Sequence, residues 1–211
     1  MTYAELQREV KGVVKDTSAN ILVSIPDFVN EAVQWAAEEA NIPSLKALFT
    51  VTTSTSTYYV SMPSNFSGRL SYVGDTSGQY TIVDGGLEDL IAKKLDVTLV
   101  GDIEYIAHEG NTLYYLPIPA TAVTLTCIGY NVPATLTEDN DTPSDIPELL
   151  HRRLLVNKAA ELAYSVIEAG ETDENKINTK LFMGLAQGGL DSLRAWVVRR
   201  RSNVGTSCWR V

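Results

Sequence analysis

Apolar residues near the N-terminus follow a helical period. They recur every three or four positions, which places them on one face of an α-helix, at Leu6, Val10, Val13 and Val14. Thr2 and Glu5 stand three positions apart in front of this stripe, as in a capping box. We therefore predict a first helix that begins after Thr2 and ends near Asp16.

A second helical pattern follows a short polar stretch. Ser24-Ile25-Pro26-Asp27 is a start signal, because proline is tolerated in the first turn of a helix. The apolar face after it is rich in alanine, so this helix can approach a neighbour closely, in the same chain or in another subunit. Asn41-Ile42-Pro43 should end the helix.

Between residues 49 and 133 the pattern changes to that of extended chain. Thr, Ser, Tyr and Val predominate, and short apolar segments alternate with turn residues. We predict strands at 58–62, 70–73, 80–83, 102–107, 112–116 and 123–130, and a short helix at 87–95. Glu109-Gly110-Asn111 suits a hairpin turn.

Two long helices are predicted after the β region. The main helix should run from Ile146 or Pro147 to Ala169, with Ser144 or Asp145 as its N-cap. The last helix should begin at 172–174. One side of it should carry the apolar residues Ile177, Leu181, Leu185, Leu193 and Trp196. Three glycines, each costing about 1 kcal/mol relative to alanine, mark close packing or a bend in this helix; they are Gly184, Gly188 and Gly189.

These patterns predict an α+β protein. Two N-terminal and two long C-terminal helices should form a helical core, with a small antiparallel β-sandwich or barrel inserted between them and an extended tail at the end. The predicted boundaries are 1–48 and 137–201 for the helical core, 49–136 for the β domain and 202–211 for the tail.

Charge is uneven along the 211 residues, which carry a net charge of −9. Residues 1–50 carry −3, residues 51–145 carry −9, and residues 146–211 carry +3. An acidic middle argues against a grip on nucleic acid, because phosphate binding needs Lys and Arg. It would suit a surface that repels DNA, or it serves solubility alone.

No pattern of residues indicates catalysis, a metal site or a cofactor. Cys127 and Cys208 lie far apart, and His108 and His151 stand outside any metal-ligand spacing. Carboxylate pairs such as Glu88/Asp89 and Asp102/Glu104 are expected by chance in an acidic chain. The chain also has no apolar run that would span a membrane and no signal-peptide pattern, so we expect a protein that is neither membrane-inserted nor secreted by that route.

The C-terminal segment is basic and contains a large aromatic residue. Residues 194–211 carry no acidic side chain and include Arg194, Arg199, Arg200, Arg201, Trp209 and Arg210. Trp and Arg are enriched at the energetic centres of protein interfaces. Docking on a partner protein therefore explains the segment, with folding back on its own domain and contact with DNA through the Arg run as the alternatives.

Four short motifs, in order along nearly the whole chain, resemble the head-to-tail connector (adaptor) proteins of tailed bacteriophages. The resemblance is strongest to the adaptor, or tail accessory, type of short-tailed phages. The motifs are Thr2-Tyr3-Ala4-Glu5-Leu6, Ser24-Ile25-Pro26-Asp27-Phe28-Val29, Gly110-Asn111-Thr112-Leu113-Tyr114-Tyr115-Leu116-Pro117-Ile118-Pro119, and Ile146-Pro147-Glu148-Leu149-Leu150-His151. The chain departs from the pattern at Asn41-Ile42-Pro43, where these proteins often carry Arg, and in its glycine-rich last helix.

The resemblance implies a non-enzymatic virion protein at the head-tail junction, assembled in the host cytoplasm. Twelve copies would form a ring on the portal protein, extend the DNA channel and present a surface to the tail tube, nozzle or other tail proteins. Double-stranded DNA would pass through the lumen without specific binding. The interface residues would be Arg199, Arg200, Arg201, Trp209 and Arg210, in contact with the portal or a neighbouring subunit.

A second hypothesis rests on the tyrosine-rich strands. Tyr58-Tyr59 and Tyr114-Tyr115 could line a platform for a carbohydrate or a receptor, as in the β module of a phage tail protein. Alternation along a strand would instead bury one tyrosine of each pair in the core.

Overall fold

The structure, a computed structural model, describes residues 1–15, 18–93, 96–172 and 174–203, with side chains up to residue 200. The α+β prediction is confirmed. The chain divides into two compact units. Met1–Ser44 and the chain from Pro133 onward form the helical unit, and Leu45–Val132 forms the β unit. The domain boundaries predicted from the sequence, with a β domain at 49–136, stay a prediction.

Helix α1 spans Tyr3–Val14 and begins with the predicted capping box. The amide of Glu5 donates to Oγ1 of Thr2 at 3.3 Å, and the amide of Thr2 donates to Oε2 of Glu5 at 2.9 Å. Two of the unpaired amides at the helix start are thereby satisfied.

Helix α2 spans Ala19–Ala40, so the predicted start at Ser24 is wrong. Pro26 lies inside the helix, although a proline there removes one backbone hydrogen bond. Ile21, Ile25 and Val29 are all buried, and this continuous stripe holds the helix together across the proline. The helix ends at Asn41 in a left-handed conformation, as predicted, and a 3₁₀ turn over Pro43–Leu45 follows.

The β unit contains two sheets and one short helix. The strands are β1 Lys46–Thr52, β2 Tyr59–Ser61, β3 Phe66–Gly74, β4 Thr81–Val83, β5 Tyr105–Glu109, β6 Thr112–Leu116 and β7 Thr124–Asn131. Helix α3 spans Gly86–Lys93, and the last two residues of the helix predicted at 87–95 lie outside the described residues. The sheet orders are β1-β7-β3 and β2-β6-β5-β4.

The two sheets share one core and do not close into a barrel in the described chain. Buried side chains from both sheets form one cluster, which includes Phe49, Val73, Ile106, Tyr115 and Cys127. Strand β1 pairs with β7 without interruption from Lys46↔Tyr130 to Thr52↔Thr124. Strands β4 and β5 are parallel, unlike the antiparallel sheet predicted, because α3 provides the crossover that a parallel pair needs.

The main helix begins after a separate turn, so the predicted N-caps are wrong. Pro147 stands at the N-cap position and makes no side-chain cap. Ser144 and Asp145 lie instead within a turn in which the Ile146 amide donates to the Pro143 carbonyl. The helix consists of α4 Glu148–Leu150, a π-helical segment His151–Val156 and α5 Asn157–Ile167.

Helix α6 spans Ile177–Asn203 and begins later than predicted. The carboxylate of Glu168, a buried residue, accepts hydrogen bonds from the amides of Asn178 and Thr179 at 3.2 and 3.1 Å. This acid therefore caps α6 from the end of α5. The helix runs past residue 201 to Asn203, so residues 202 and 203 of the predicted tail are helical; residues 204–211 lie outside the described residues.

The buried face of α6 differs from the predicted one. Ile177, Leu181 and Leu185 are exposed, while Ala186, Leu190, Leu193 and Val197 are buried. A Cβ at Gly189 would lie 2.6 Å from the Arg153 carbonyl oxygen. Only glycine permits this approach, so Gly189 sets which face of α6 packs on the main helix.

Candidate functional site

The end of α6 brings an arginine and a tryptophan together at the surface of the helical unit. The guanidinium carbon of Arg200 lies 4.6 Å from the centroid of the Trp196 ring, the geometry of a cation–π contact. Val197, between them in sequence, is buried and anchors this turn. The guanidinium of the exposed Arg200 is thereby held over the face of the Trp196 ring.

The other predicted interface residues are only partly described. Arg199 is exposed on the same turn of α6, and Arg201 lies in the last turn of the helix. Trp209 and Arg210 lie outside the described residues. The structure therefore brings Arg200 together with Trp196, which the sequence analysis had assigned to the apolar side of the helix.

An open cleft of about 570 Å³ lies beside Trp196 and Arg200. The N-terminal residues, the turn before the main helix and the end of α6 form its walls. The lining residues are Met1, Thr2, Glu5, Ser44, Thr142, Ser144, Asp145, Ile146, Pro147, Glu148, His151, Trp196 and Arg200.

The N-terminal wall of this cleft is held by hydrogen bonds to the linker before the main helix. The amide of Tyr3 donates to the Asp141 carbonyl at 2.7 Å, and the amide of Ala4 donates to the Asp139 carbonyl at 3.2 Å. The Asp141 carboxylate accepts from the amides of Thr137 and Glu138, which lowers its pKa. The linker therefore has a defined shape at the cleft.

His151 forms part of the base of the cleft and is fully engaged. Its Nε2 lies 2.9 Å from the Ile146 carbonyl oxygen, and its Nδ1 lies 3.2 Å from the Met1 amino group. These partners fit the neutral tautomer in which Nε2 donates and Nδ1 accepts. Burial lowers the pKa of His151, which also favours the neutral form. With both nitrogens occupied, His151 has a structural role.

The cleft is chemically mixed. Carboxylates of Glu5, Asp145 and Glu148 share the cleft with two cations, Arg200 and the Met1 amino group, and with the apolar surface of Trp196. A hydrogen bond from the Met1 amino group lowers the pKa of Glu148. Such a surface can bind an extended peptide with polar and apolar side chains, because it offers hydrogen-bond acceptors next to an aromatic anchor.

The remaining candidates for chemistry have ordinary structural positions. Glu88, Asp89, Asp102 and Glu104 are exposed. Burial raises the pKa of Cys127 to about 11, so its thiol is protonated at neutral pH and unreactive. Within the described ranges, no cluster of three His, Cys, Asp or Glu residues could hold a metal ion.

Three tyrosines form a cluster on the β unit. The rings of Tyr58 and Tyr114 are stacked with centroids 6.2 Å apart, and Tyr59 lies 5.5 Å from Tyr58 and is 46% exposed. Tyr115 is buried in the core, where its hydroxyl accepts from the Ser54 amide at 2.7 Å. The alternation argument is therefore confirmed for Tyr114-Tyr115, whereas Tyr58 and Tyr59 both contribute to the cluster.

Sequence reasoning missed the cleft itself. Its walls come from residues 1–5, 142–151 and 196–200, which no local pattern connects. The one available signal was the resemblance motif Ile146–His151, read only as the start of a helix.

Comparison with known proteins identifies the family. No curated protein matches the chain. In the part of the chain that the structure describes, no helix has the length and apolar character needed to cross a membrane. The family model described as SU10 adaptor protein matches residues 1–207, nearly the whole chain, which confirms the resemblance to phage adaptors. The chain belongs to the SU10 adaptor protein family and is a structural adaptor of a bacteriophage.

Proposed function

We propose that this adaptor forms a ring of twelve copies that docks on the portal, extends the DNA channel and carries the tail attachment surface. Membership of the SU10 adaptor family supports a virion component that interacts with other head or tail proteins. The observation that carries the docking proposal is the Trp196–Arg200 pair beside an open cleft. Assembly takes place in the host cytoplasm and the ring is at the head-tail junction.

The portal contact is formed by the end of α6, the segment beyond it and the cleft. An extended portion of the portal lies in the cleft, with its apolar side chain on Trp196 and a carboxylate near Arg200. The portal or the neighbouring subunit is also contacted by Arg199, Arg201, Trp209 and Arg210. Tryptophan supplies a large contact area and arginine supplies several hydrogen bonds, which is why both are enriched at the energetic centres of interfaces.

The charge of the chain supports a lumen through which DNA slides. Residues 51–145 carry 12 acidic and 3 basic side chains. A channel wall of this composition repels phosphates, and the repulsion keeps DNA from adhering during passage. The adaptor has no catalytic task in this proposal, consistent with a family of structural proteins.

Native mass spectrometry of the purified protein, alone and mixed with the portal of the same phage, tests the proposal. We expect a complex of about twelve adaptors on a twelve-copy portal ring. Arg200→Glu should weaken binding at least tenfold. Arg152→Glu is the matched control, because Arg152 is 73% exposed on the main helix, pairs with Glu9 and lies outside the lining of the cleft.

Removal of residues 204–211 gives a second variant, which keeps all of α6. It should fold normally and bind the portal weakly or not at all. A wild-type protein that stays separate from the portal, or a truncated one that binds equally well, contradicts the docking proposal.

The tyrosine cluster supports a second candidate, a carbohydrate- or receptor-binding β module. Aromatic rings at a surface stack on sugar faces, and Tyr59 is accessible. Glycan-array binding by the full-length protein that is abolished in Tyr59→Ala would favour this function.

A further inference from the structure

The outer face of α6 is apolar and exposed. Ile177, Leu181 and Leu185 are 68, 54 and 47% exposed and stand four residues apart, so they form one stripe. The buried residues Ala186, Leu190, Leu193 and Val197 lie on the opposite side of the helix, at 100° per residue. The described residues of the helical unit therefore cover only one of the two apolar faces of α6.

Two glycines in this stripe have no packing role in the described structure of the unit. A Cβ at Gly184 or Gly188 would meet no described atom within 4 Å, whereas a Cβ at Gly189 would collide with the main helix. Glycine in a helix interior is unfavourable relative to alanine. Close packing within the unit thus explains the glycine at position 189 but not those at 184 and 188. Gly184 and Gly188 would allow another helix to approach closely.

The outer face of α2 is complementary to this stripe. Val23 is 76% exposed in the second turn of α2, and Ala19, four residues before it on the same face, is also exposed. Further along the same face, Asp27, Glu31 and Glu38 are exposed. Helix α2 is therefore apolar near its start and acidic towards its end, while the α6 stripe is apolar near its start and reaches Arg199 at its end.

The spacing on the two helices matches. At 1.5 Å per residue, Val23 and Glu38 are about 22 Å apart along α2, and Leu185 and Arg199 are about 21 Å apart along α6. In a parallel contact, the apolar ends would meet and Arg199 would face Glu38.

We propose that the α6 stripe of one copy packs in parallel on the outer face of α2 of the next copy. Leu181 and Leu185 would contact Ala19 and Val23, and Arg199 would pair with Glu38. Because the two surfaces differ, the contact is heterologous and repeats from copy to copy, which is how a closed ring forms. The inference rests on the proposed ring and specifies its subunit interface.

Cysteine cross-linking tests the contact directly. Val23→Cys and Leu185→Cys are combined in a Cys208→Ser background, and the protein is oxidised alone and in a mixture with the portal. Cys127 is buried and should not react. We expect a ladder of dimers, trimers and larger species on a non-reducing gel, since each copy offers both partners.

The control combines Val23→Cys with Met183→Cys. Met183 is 53% exposed, as Leu181 is at 54%, but it points to a different side of α6. A Val23/Leu185 pair that cross-links no more than this control overturns the proposal.

Charge changes give a second, independent readout by native mass spectrometry. Leu181→Asp should reduce ring formation at least tenfold, and Met183→Asp less than about twofold. Glu38→Arg and Arg199→Glu should each weaken association by about fivefold, and their combination should restore it. Circular dichroism confirms that each monomer is folded.

The outcomes separate this interface from the portal proposal. If the wild type forms a ring on the portal and Leu181→Asp forms the same ring, the α6–α2 contact is wrong and portal docking stands. If the wild type does not bind the portal, portal docking fails, and the cross-linked ladder still decides the subunit contact.

Discussion

The helical unit and the β unit are held together in different ways. The helical unit joins two distant parts of the chain, and polar side chains add to the buried apolar packing that connects them. Asn30 donates to the Leu136 carbonyl at 3.1 Å and accepts from the Leu136 amide at 2.8 Å. The hydroxyl of Tyr164 donates to the Val14 carbonyl at 3.1 Å. The β unit is one continuous segment, joined by strand pairing and a core shared by both sheets.

This difference concerns the contacts that hold each unit together and the surface that each unit exposes. In the β unit, strand pairing and the buried core of both sheets connect one continuous segment. In the helical unit, a few partly buried polar contacts close the fold, and the exposed apolar residues of α6 lie on the same unit. The helical unit therefore combines polar contacts between distant parts of the chain with an exposed apolar surface for partners.

The largest effects should come from cavities in each core. Leu154 in the helical unit and Leu125 in the β unit are both fully buried. Leu154→Ala and Leu125→Ala should each lower the free energy of unfolding by about 3 kcal/mol. In calorimetry, each variant should shift mainly the transition of its own unit. Equal shifts of one common transition would show that the two units unfold together.

Substitution of adjacent glycines in α6 should have opposite effects. Gly189→Ala should destabilise the helical unit by about 2 kcal/mol, because its Cβ would meet backbone atoms of Arg153 and Leu154. Gly188→Ala should stabilise the monomer by up to about 1 kcal/mol through helix propensity. Urea unfolding of the monomer measures both, and a loss of stability in Gly188→Ala would contradict this account of the helix.

The polar closure of the helical unit can be tested at Asn30. Asn30→Ala should cost about 2 kcal/mol, because it leaves the partly buried Leu136 amide and carbonyl without their partner. Asn65→Ala is the control in the β unit, where the exposed Asn65 side chain donates to the Asn131 side chain at 3.0 Å. Its cost should stay below about 0.5 kcal/mol. Similar losses in thermal unfolding would remove the contrast between the units.

Acid should weaken each unit through carboxylates whose pKa is lowered, among them Asp75 and Glu168, with the smallest effects of this series. Hydrogen bonds from Ser77 and Tyr80 lower the pKa of Asp75 from 3.8 to about 2. Burial raises the pKa of Glu168, but hydrogen bonds from Thr179 and Asn178 outweigh it, so the pKa is lowered. A native pKa below the unfolded value gives stability that is complete above the unfolded value and lost as pH falls through the native one.

Asp75→Asn should therefore flatten the dependence of stability on pH between about 4 and about 2. Glu168→Gln should flatten it below the unfolded pKa of a glutamate, in the helical unit. Urea unfolding at several pH values provides the measurement. A variant with the same pH profile as the wild type would show that its carboxylate is not responsible.

Local signals predicted much of the fold. The capping box at Thr2 and Glu5, the hairpin turn at Gly110 and the strand at 112–116 were predicted correctly, because each depends on neighbouring residues alone. The start of α2 was wrong because a buried stripe outweighs a proline. The N-cap of the main helix was wrong because Ser144 and Asp145 belong to a preceding turn.

The orientation of α6 could not be read from the sequence. The helix has apolar residues on two faces, and periodicity does not say which face is buried. Gly184, Gly188 and Gly189 look alike in the sequence, and only the position of the main helix distinguishes Gly189. The cleft combines residues from the two ends of the chain, so it appears only when the helical unit is closed.

The pairing of β1 with β7 has a consequence for how such proteins diversify. The register Lys46↔Tyr130 places the entry and the exit of the β unit on neighbouring strands, about 4.8 Å apart. An inserted segment whose ends are adjacent can be replaced during evolution, because the rest of the fold has to span only a short gap. Phages could then alter the inserted module for new partners or hosts while inheriting the helical scaffold unchanged.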